Sequence, residues 1–250
     1  GRQAYENAFS LNSVRAGNPT GIETGLVKPE QVTAFEVGYR GVVDVESSKV
    51  SIDLSGYYNS YKDFIAGRNV LVPFYGNAGN ATTAPDTNAL IAVLNGDFTA
   101  FQTYTNSPAD INSYGVAIAI ATKIFGDFNL SLNYTWAKFE FDRTTDPDFE
   151  PGFNTPENTV KVQFGNPKLF KNFGFNVNLR YQDEFLWEST FHDAIVDERF
   201  VLDAQINYAI PELKSVIKVG GSNLTGQEYF SAPGVGAIGS IFYVSWAINN

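Results

Sequence analysis

The chain has 250 residues, 44% hydrophobic, 18% charged and 15% aromatic, with no Cys and no Met. Its aromatic content is too high for a disordered chain, and the absence of Cys excludes a disulfide scaffold and a thiolate metal site. A formal net charge of −10 without any Lys/Arg cluster argues against nucleic acid and against anionic partners generally.

Apolar residues recur with a period of two, in chain order over 32–43, 50–65, 113–124, 128–137, 158–164, 173–182, 200–209, 216–223 and 242–249. The pattern is clearest where Phe128, Leu130, Leu132, Tyr134 and Trp136 alternate with Asn129, Ser131, Asn133, Thr135 and Ala137. It returns as Phe173, Phe175, Val177, Leu179 and Tyr181 set against Gly174, Asn176, Asn178, Arg180 and Gln182. These nine segments are read as strands, with one short helix expected within 88–101. No apolar run approaches the roughly 20 residues that a membrane-spanning helix needs. Alternation alone does not say which face is buried, because a sandwich core and a lipid-facing barrel wall both place an apolar residue at every second position.

Strand length, aromatic placement and loop order separate these alternatives. Several segments exceed the roughly 5 to 6 residues of an average soluble strand and reach the roughly 9 to 11 that a tilted strand needs to cross a bilayer. Aromatics gather toward the strand ends of the apolar face, as Phe128 does at one end and Tyr134 and Trp136 at the other, which is how interfacial girdles are arranged. Short connections at 44–49, 126–127, 166–172 and 211–214 alternate with long ones at 66–112, 143–157, 188–197 and 225–238. Short turns at one end and long loops at the other mark an outer-membrane barrel, with the turns periplasmic and the loops extracellular. An odd set of nine strands would leave open edges in lipid, so the chain is expected to be part of a larger wall, clipped or processed at its start. The polar face carries Glu36, Arg40, Asp53, Asn129, Asn133, Lys161, Gln163, Asn176, Asn178, Arg180, Asp203, Gln205, Asn207 and Lys218, and is expected to face a wet lumen or a plug.

The stretch Val27-Lys28-Pro29-Glu30-Gln31-Val32-Thr33-Ala34-Phe35-Glu36-Val37-Gly38-Tyr39-Arg40-Gly41 resembles the L-K-P-E-x-V-T-x-x-E-x-G-Y-K-G segment of TonB-dependent outer-membrane receptors. Residues 50–65, ending Tyr57-Tyr58-Asn59-Ser60-Tyr61-Lys62-Asp63-Phe64-Ile65, resemble that family's next strand. Near the end, Asn223-Leu224 with Tyr229 is similar to its N-L-x-x-x-x-Y motif, and residues 239–246 are similar to its closing strand. The lead-in at 18–25 is similar to receptors of Bacteroidetes-type bacteria. The resemblance implies an all-β fold, an antiparallel transmembrane β-barrel of 22 strands around an N-terminal plug, of which residues 1–250 supply about nine C-terminal strands while the plug domain and earlier strands are absent. The family's closing aromatic falls here on Asn250, so either a few residues follow or the assembly signal differs.

What the resemblance implies about function is a Gram-negative outer-membrane receptor, not an enzyme and without a cofactor, that takes up a scarce nutrient such as a siderophore, vitamin, glycan or peptide. Its partners would be outer-membrane lipid, TonB and the inner-membrane motor through the missing plug region, and a surface lipoprotein. Two other readings stay open: a receptor-like barrel with a structural or docking role in an outer-membrane complex, and a soluble β-sandwich binding module.

Residues that carry chemistry are sparse. Ligand contacts are expected from loop aromatics and the sole histidine, namely Tyr75, Phe98, Tyr104, Trp187 and His192. The acidic run Asp142, Asp146, Asp148, Glu150 and Glu157 carries oxygen ligands without EF-hand spacing and reads first as a solvated loop, with no metal expected. Asp183 and Glu184 are adjacent, and on a continuous strand would face opposite sides, which makes them a poor acid/base couple. Gly234, Gly236 and Gly239 have G-x-G-x-x-G spacing but lead into a strand rather than a helix, so they do not form a phosphate cradle.

Overall fold

A computed structural model describes residues 8–22, 26–46, 48–73, 87–146, 149–189 and 192–248. In chain order the elements are β1 (Ala8–Ser10), α1 (Leu11–Arg15), β2 (Gly21–Ile22), β3 (Gln31–Val45), β4 (Ser48–Lys62), β5 (Ile65–Pro73), α2 (Thr87–Leu94), β6 (Phe98–Asn106), β7 (Ile111–Ile124), β8 (Phe128–Phe141), β9 (Asn158–Phe170), β10 (Phe173–Gln182), β11 (Phe185–Trp187), β12 (Ala194–Val196), β13 (Arg199–Ile210), β14 (Ser215–Ser222) and β15 (Ile241–Ile248). Nine of these, β3, β4, β7, β8, β9, β10, β13, β14 and β15, form one sheet in that order, every neighbouring pair antiparallel. They are the nine segments expected from the alternation, and β3 and β4 run to 15 residues each.

The register carries the alternation across the whole sheet. One row joins Tyr39, Leu54, Ile118, Tyr134, Val160, Tyr181 and Phe200, and the next joins Ile52, Ile120, Leu132, Val162, Leu179 and Leu202. Between them lies the row Arg40, Asp53, Ala119, Asn133, Lys161 and Arg180, whose side chains point to the opposite face because the side-chain period is two. All the residues assigned from sequence to the polar face fall on that face. The aliphatic rows are bounded by two aromatic belts on their own face. At the loop end Tyr58, Tyr114 and Trp136 make ring contacts of 6.3 and 5.7 Å, and at the turn end Phe128, Phe164 and Phe175 make contacts of 5.5 and 5.7 Å. Lipid-facing barrel walls carry this belt–aliphatic–belt order because aromatic rings settle at the two membrane interfaces.

The reading as a soluble sandwich is overturned by where the core sits. Among the described residues the other sheets are a four-stranded one, β2-β1-β5-β6, and the β11–β12 hairpin, and neither is a second layer of nine-stranded extent. The apolar face of the wall stays open, with Phe35 at 66%, Val37 at 75% and Trp246 at 64% exposure. Buried side chains gather instead around the small sheet and the loop end, in clusters about Phe9, Leu71 and Val93, about Ala8, Val70 and Val72, and about Ala66, Ile111 and Phe149.

Short connections are tight. The turns after β3, β7, β9 and β13 pass through the left-handed region at Glu46, Phe125, Lys171 and Lys214, with φ of 51, 47, 46 and 44°. The turn expected at 166–172 is shorter than that, because β9 continues to Phe170 past a bulge opposite Phe173 and Phe175. The long connection 66–112 is not an unstructured loop. It contains β5, α2 and β6, and the expected helix in 88–101 gives way to β6 at Phe98. The period-two reading missed β5 because Val70, Leu71 and Val72 are buried consecutively, Leu71 against Phe9 and Val93 and its two neighbours against Ala8. A strand covered on both faces does not alternate.

Candidate functional site

The long loops converge on one end of the wall and interlock there. Arg68 on β5 pairs with Asp146 in the 142–157 loop, both side chains buried, while Arg68 Nε donates to Thr105 Oγ1 at 2.6 Å and Ser107 Oγ donates to Asp146 at 2.6 Å. Asn12 of α1 donates to Glu150 at 2.9 Å, which ties the first residues to the same loop. Asn154 and Glu188 exchange two bonds, Glu188 N–H to Asn154 Oδ1 at 2.7 Å and Asn154 Nδ2 to the Glu188 carbonyl at 3.0 Å, which binds the loop to the start of the β11–β12 turn. Asn106 clasps Lys28 through both of its backbone groups, accepting its N–H at 2.7 Å and donating to its carbonyl at 2.9 Å. Glu30 accepts the Ile65 N–H at 3.0 Å. The Lys28-Pro29-Glu30 stretch is thereby the tether of the small sheet.

Aromatic packing folds the 142–157 loop toward the polar face. Phe149 is 1% exposed and meets Phe64 and Phe141 edge-on at 5.7 and 5.3 Å, while Phe153 stacks on Phe139 at 3.7 Å. Phe139 and Phe141 share parity with Asn133, so these rings stand on the polar side at the mouth of the wall. Beside them opens a cleft of about 970 Å³ floored by Phe139, Phe141, Phe153 and Phe185. Its lining carries the carboxylates of Asp142, Glu157, Asp183, Glu184 and Glu198 against one basic group, Arg143, which lies 4.8 Å over the Phe141 ring and pairs with Glu188 at 3.0 Å.

The residues expected to contact ligand do not meet. Tyr75 lies outside the described residues. Phe98 packs against the Phe9, Leu71 and Val93 cluster, whereas Tyr104, six residues on and roughly 20 Å along the same strand, is 61% exposed. Trp187 ends β11 beside Phe185 at 6.5 Å, and His192 is exposed, its N–H and carbonyl held by the Ser189 hydroxyl at 3.1 and 2.8 Å. No ring contact or hydrogen bond joins the β6 pair to the β11–β12 pair.

Among the acidic residues, Asp146 is not solvated but is the buried counter-ion of Arg68. Asp142 caps a turn, accepting from the hydroxyl and N–H of Thr144 at 2.7 and 2.8 Å, and those bonds hold its carboxyl below the ordinary range. Asp148 lies outside the described residues, and no group of His, Asp and Glu among the described residues is arranged to hold a metal ion. Asp183 and Glu184 sit in the break between β10 and β11, so strand alternation does not separate them and both line the cleft. Asp183 is already bonded by the backbone N–H and side-chain amide of Asn158, at 3.1 and 2.6 Å. Gly234, Gly236 and Gly239 lead into β15, not into a helix. Sequence reasoning missed Arg68, Asn106, Ser107, Phe149 and Asn154. Phe149 and Phe153, aromatics in a Pro/Gly-rich loop, were the available sign.

A single antiparallel wall with a belted apolar face, a polar face and interlocked loops at one end defines an outer-membrane β-barrel protein. The chain belongs to the TonB-dependent receptor family: the family model "TonB dependent receptor-like, beta-barrel" matches residues 2–224. This is a family of non-enzymatic transport proteins of the Gram-negative outer membrane. No curated protein matches by sequence. Among solved structures the chain is similar to the siderophore receptor PirA of Acinetobacter baumannii, with 15% identity and TM-score 0.53, over 88% of this chain and 32% of that one. The copper transporter OprC matches with 15% identity and TM-score 0.57, over 88% and 31%. The FrpB iron transporter of Neisseria meningitidis matches with 13% identity and TM-score 0.54, over 88% and 32%. At these identities the likeness is one of fold, and the chain spans about a third of each of these proteins.

Proposed function

We propose that this wall is the C-terminal portion of a closed barrel that admits a scarce nutrient through the outer membrane, driven from the inner membrane through TonB acting on a plug that belongs to the remainder of the receptor. The observation that carries the reading is the nine-stranded meander itself: β3 and β15 are edge strands of a sheet whose apolar face is belted for lipid, and in lipid such edges must be paired. The outer membrane holds no ion gradient, so uptake against a gradient requires energy from elsewhere. The acidic, phenylalanine-floored cleft at the mouth favours neutral or cationic solutes over anionic ones. The class of siderophores, vitamins, glycans and peptides narrows accordingly. The test is growth of a strain carrying the full-length receptor under limitation for single nutrients, with and without TonB. A growth advantage that vanishes without TonB is the expected result. An advantage that survives loss of TonB, or capture of a surface lipoprotein without any uptake, would replace transport by a docking role.

A further inference from the structure

The cleft at the mouth already holds a cation of its own. Arg143, in the turn that Asp142 caps, lays its guanidinium 4.8 Å over the Phe141 ring and donates from Nη2 to Glu188 Oε1 at 3.0 Å. The host side of this contact is rigid. Glu188 is 8% exposed, its second carboxylate oxygen accepts the Gly152 N–H at 3.3 Å, and Asn154 bonds both its N–H and its carbonyl. Phe141 is set in place by its edge-on contact with the buried Phe149. The guest side is loose, since the Arg143 side chain remains 59% exposed. An aromatic face beside a buried carboxylate is a receptor for a planar cation, and here the chain's own side chain is its tenant.

The tenant leaves only by exchange. A buried Glu188 carboxylate stripped of its counter-ion is strongly penalised, so Arg143 departs when another cation takes its place. Departure itself is easy, because an exposed arginine on a turn regains solvent and rotamer freedom as it swings out. The rest of the cleft favours the exchange: among the described residues no other basic side chain lines it, while Glu157 and Glu184 are exposed and enter no ion pair. We propose that the cleft binds a solute bearing a guanidinium group, which displaces Arg143 from between Phe141 and Glu188 while the solute's apolar part lies on Phe139, Phe153 and Phe185. A cleft of about 970 Å³ takes a solute the size of a short peptide. Arg143 thereby sets specificity, since a neutral solute cannot replace it at Glu188. The inference rests on the transport reading and names the class of its substrate.

The test is isothermal titration of the full-length receptor, in mild detergent, with amidated phenylalanyl-arginine and with its citrulline counterpart, whose neutral urea has the shape of the guanidinium. The arginine form is expected to bind about tenfold more tightly or better. Arg143→Ala removes the tenant and should tighten binding about tenfold, whereas Glu188→Gln, which keeps an acceptor for the Gly152 N–H, should weaken it about tenfold. In the parent receptor, guanidinium chloride below denaturing concentration should displace the dipeptide where sodium chloride of the same ionic strength does not, a result that depends on neither variant. Equal binding of the two dipeptides, no displacement by guanidinium, or weaker binding or none by an Arg143→Ala receptor that assembles, judged by heat-modifiable migration, would overturn the proposal. Binding in detergent needs no TonB. Growth that is independent of TonB would therefore defeat the transport reading and leave the site standing, while growth that depends on TonB without dipeptide binding would defeat the site alone.

Discussion

Arg68 and Asp146 are ion-paired with side chains only 9% and 5% exposed, joining β5 to the 142–157 loop across 78 residues of chain. A pair this dry holds because its remaining valences are met by Thr105 and Ser107. Removing one partner strands the other. Asp146→Ala should therefore cost the loop assembly about 3 to 5 kcal/mol. The expected readout is rapid proteolysis and hydrogen exchange in the small sheet with the nine-stranded wall still heat-modifiable. Replacing both partners by Met and Leu should recover most of the protection, and no difference between the single and double variants would show that the pair is not what holds the loops.

Asn106 substitutes for a paired strand residue by offering its amide to both backbone groups of Lys28. It also donates to the Asp63 carbonyl at 2.6 Å. Asn106→Ala removes these bonds at about 1 kcal/mol each. Exchange of the Lys28 and Ile65 amides should rise together while that of β7 amides stays unchanged.

Leu132 and Asn133 are neighbours on β8 that point to opposite faces, Leu132 into the aliphatic rows and Asn133 beside Lys161. Leu132→Arg places a charge near the middle of the bilayer at about 2 to 4 kcal/mol and should block assembly, whereas Asn133→Arg should assemble normally. Equal tolerance of the two, read by heat-modifiability in outer-membrane fractions, would reverse the face assignment.

Glu150 is half-buried at its contact with Asn12. Burial pushes its carboxyl above the ordinary value of 4.5, the Asn12 bond opposes the shift, and the nearby charges of Asp193 and Glu188 add to it. With the folded value above the unfolded one, the ionised form is penalised in the folded state at neutral pH. That penalty is relieved as pH falls through the folded value and is gone below the unfolded value. The α1-to-loop contact should therefore tighten on mild acidification, in a window just above pH 4.5. Glu150→Gln keeps an acceptor for Asn12 without the charge and should be tighter at neutral pH and flat across the window, measured as protease protection of α1.

The wall was legible because each of its strands has one lipid-facing and one polar face, so the period-two pattern survives in one dimension. The site was not. Arg68 is one basic residue in a polar loop until Asp146 is brought to it. Phe149 has no periodic context, and β5 is apolar on consecutive positions because both of its faces are covered. Asp183 and Glu184 show the converse error, since a rule for continuous strands fails where β10 breaks before β11.

What the amino-acid sequence determined by itself is therefore the strand set, the two faces, the order of short and long connections and the family. These follow from local alternation and from contiguous motifs. What only the tertiary structure decided is the loop assembly: the small sheet, the buried Arg68–Asp146 pair and the phenylalanine floor of the cleft. Those depend on residues far apart in the chain meeting at one end of the wall, which leaves no periodic trace.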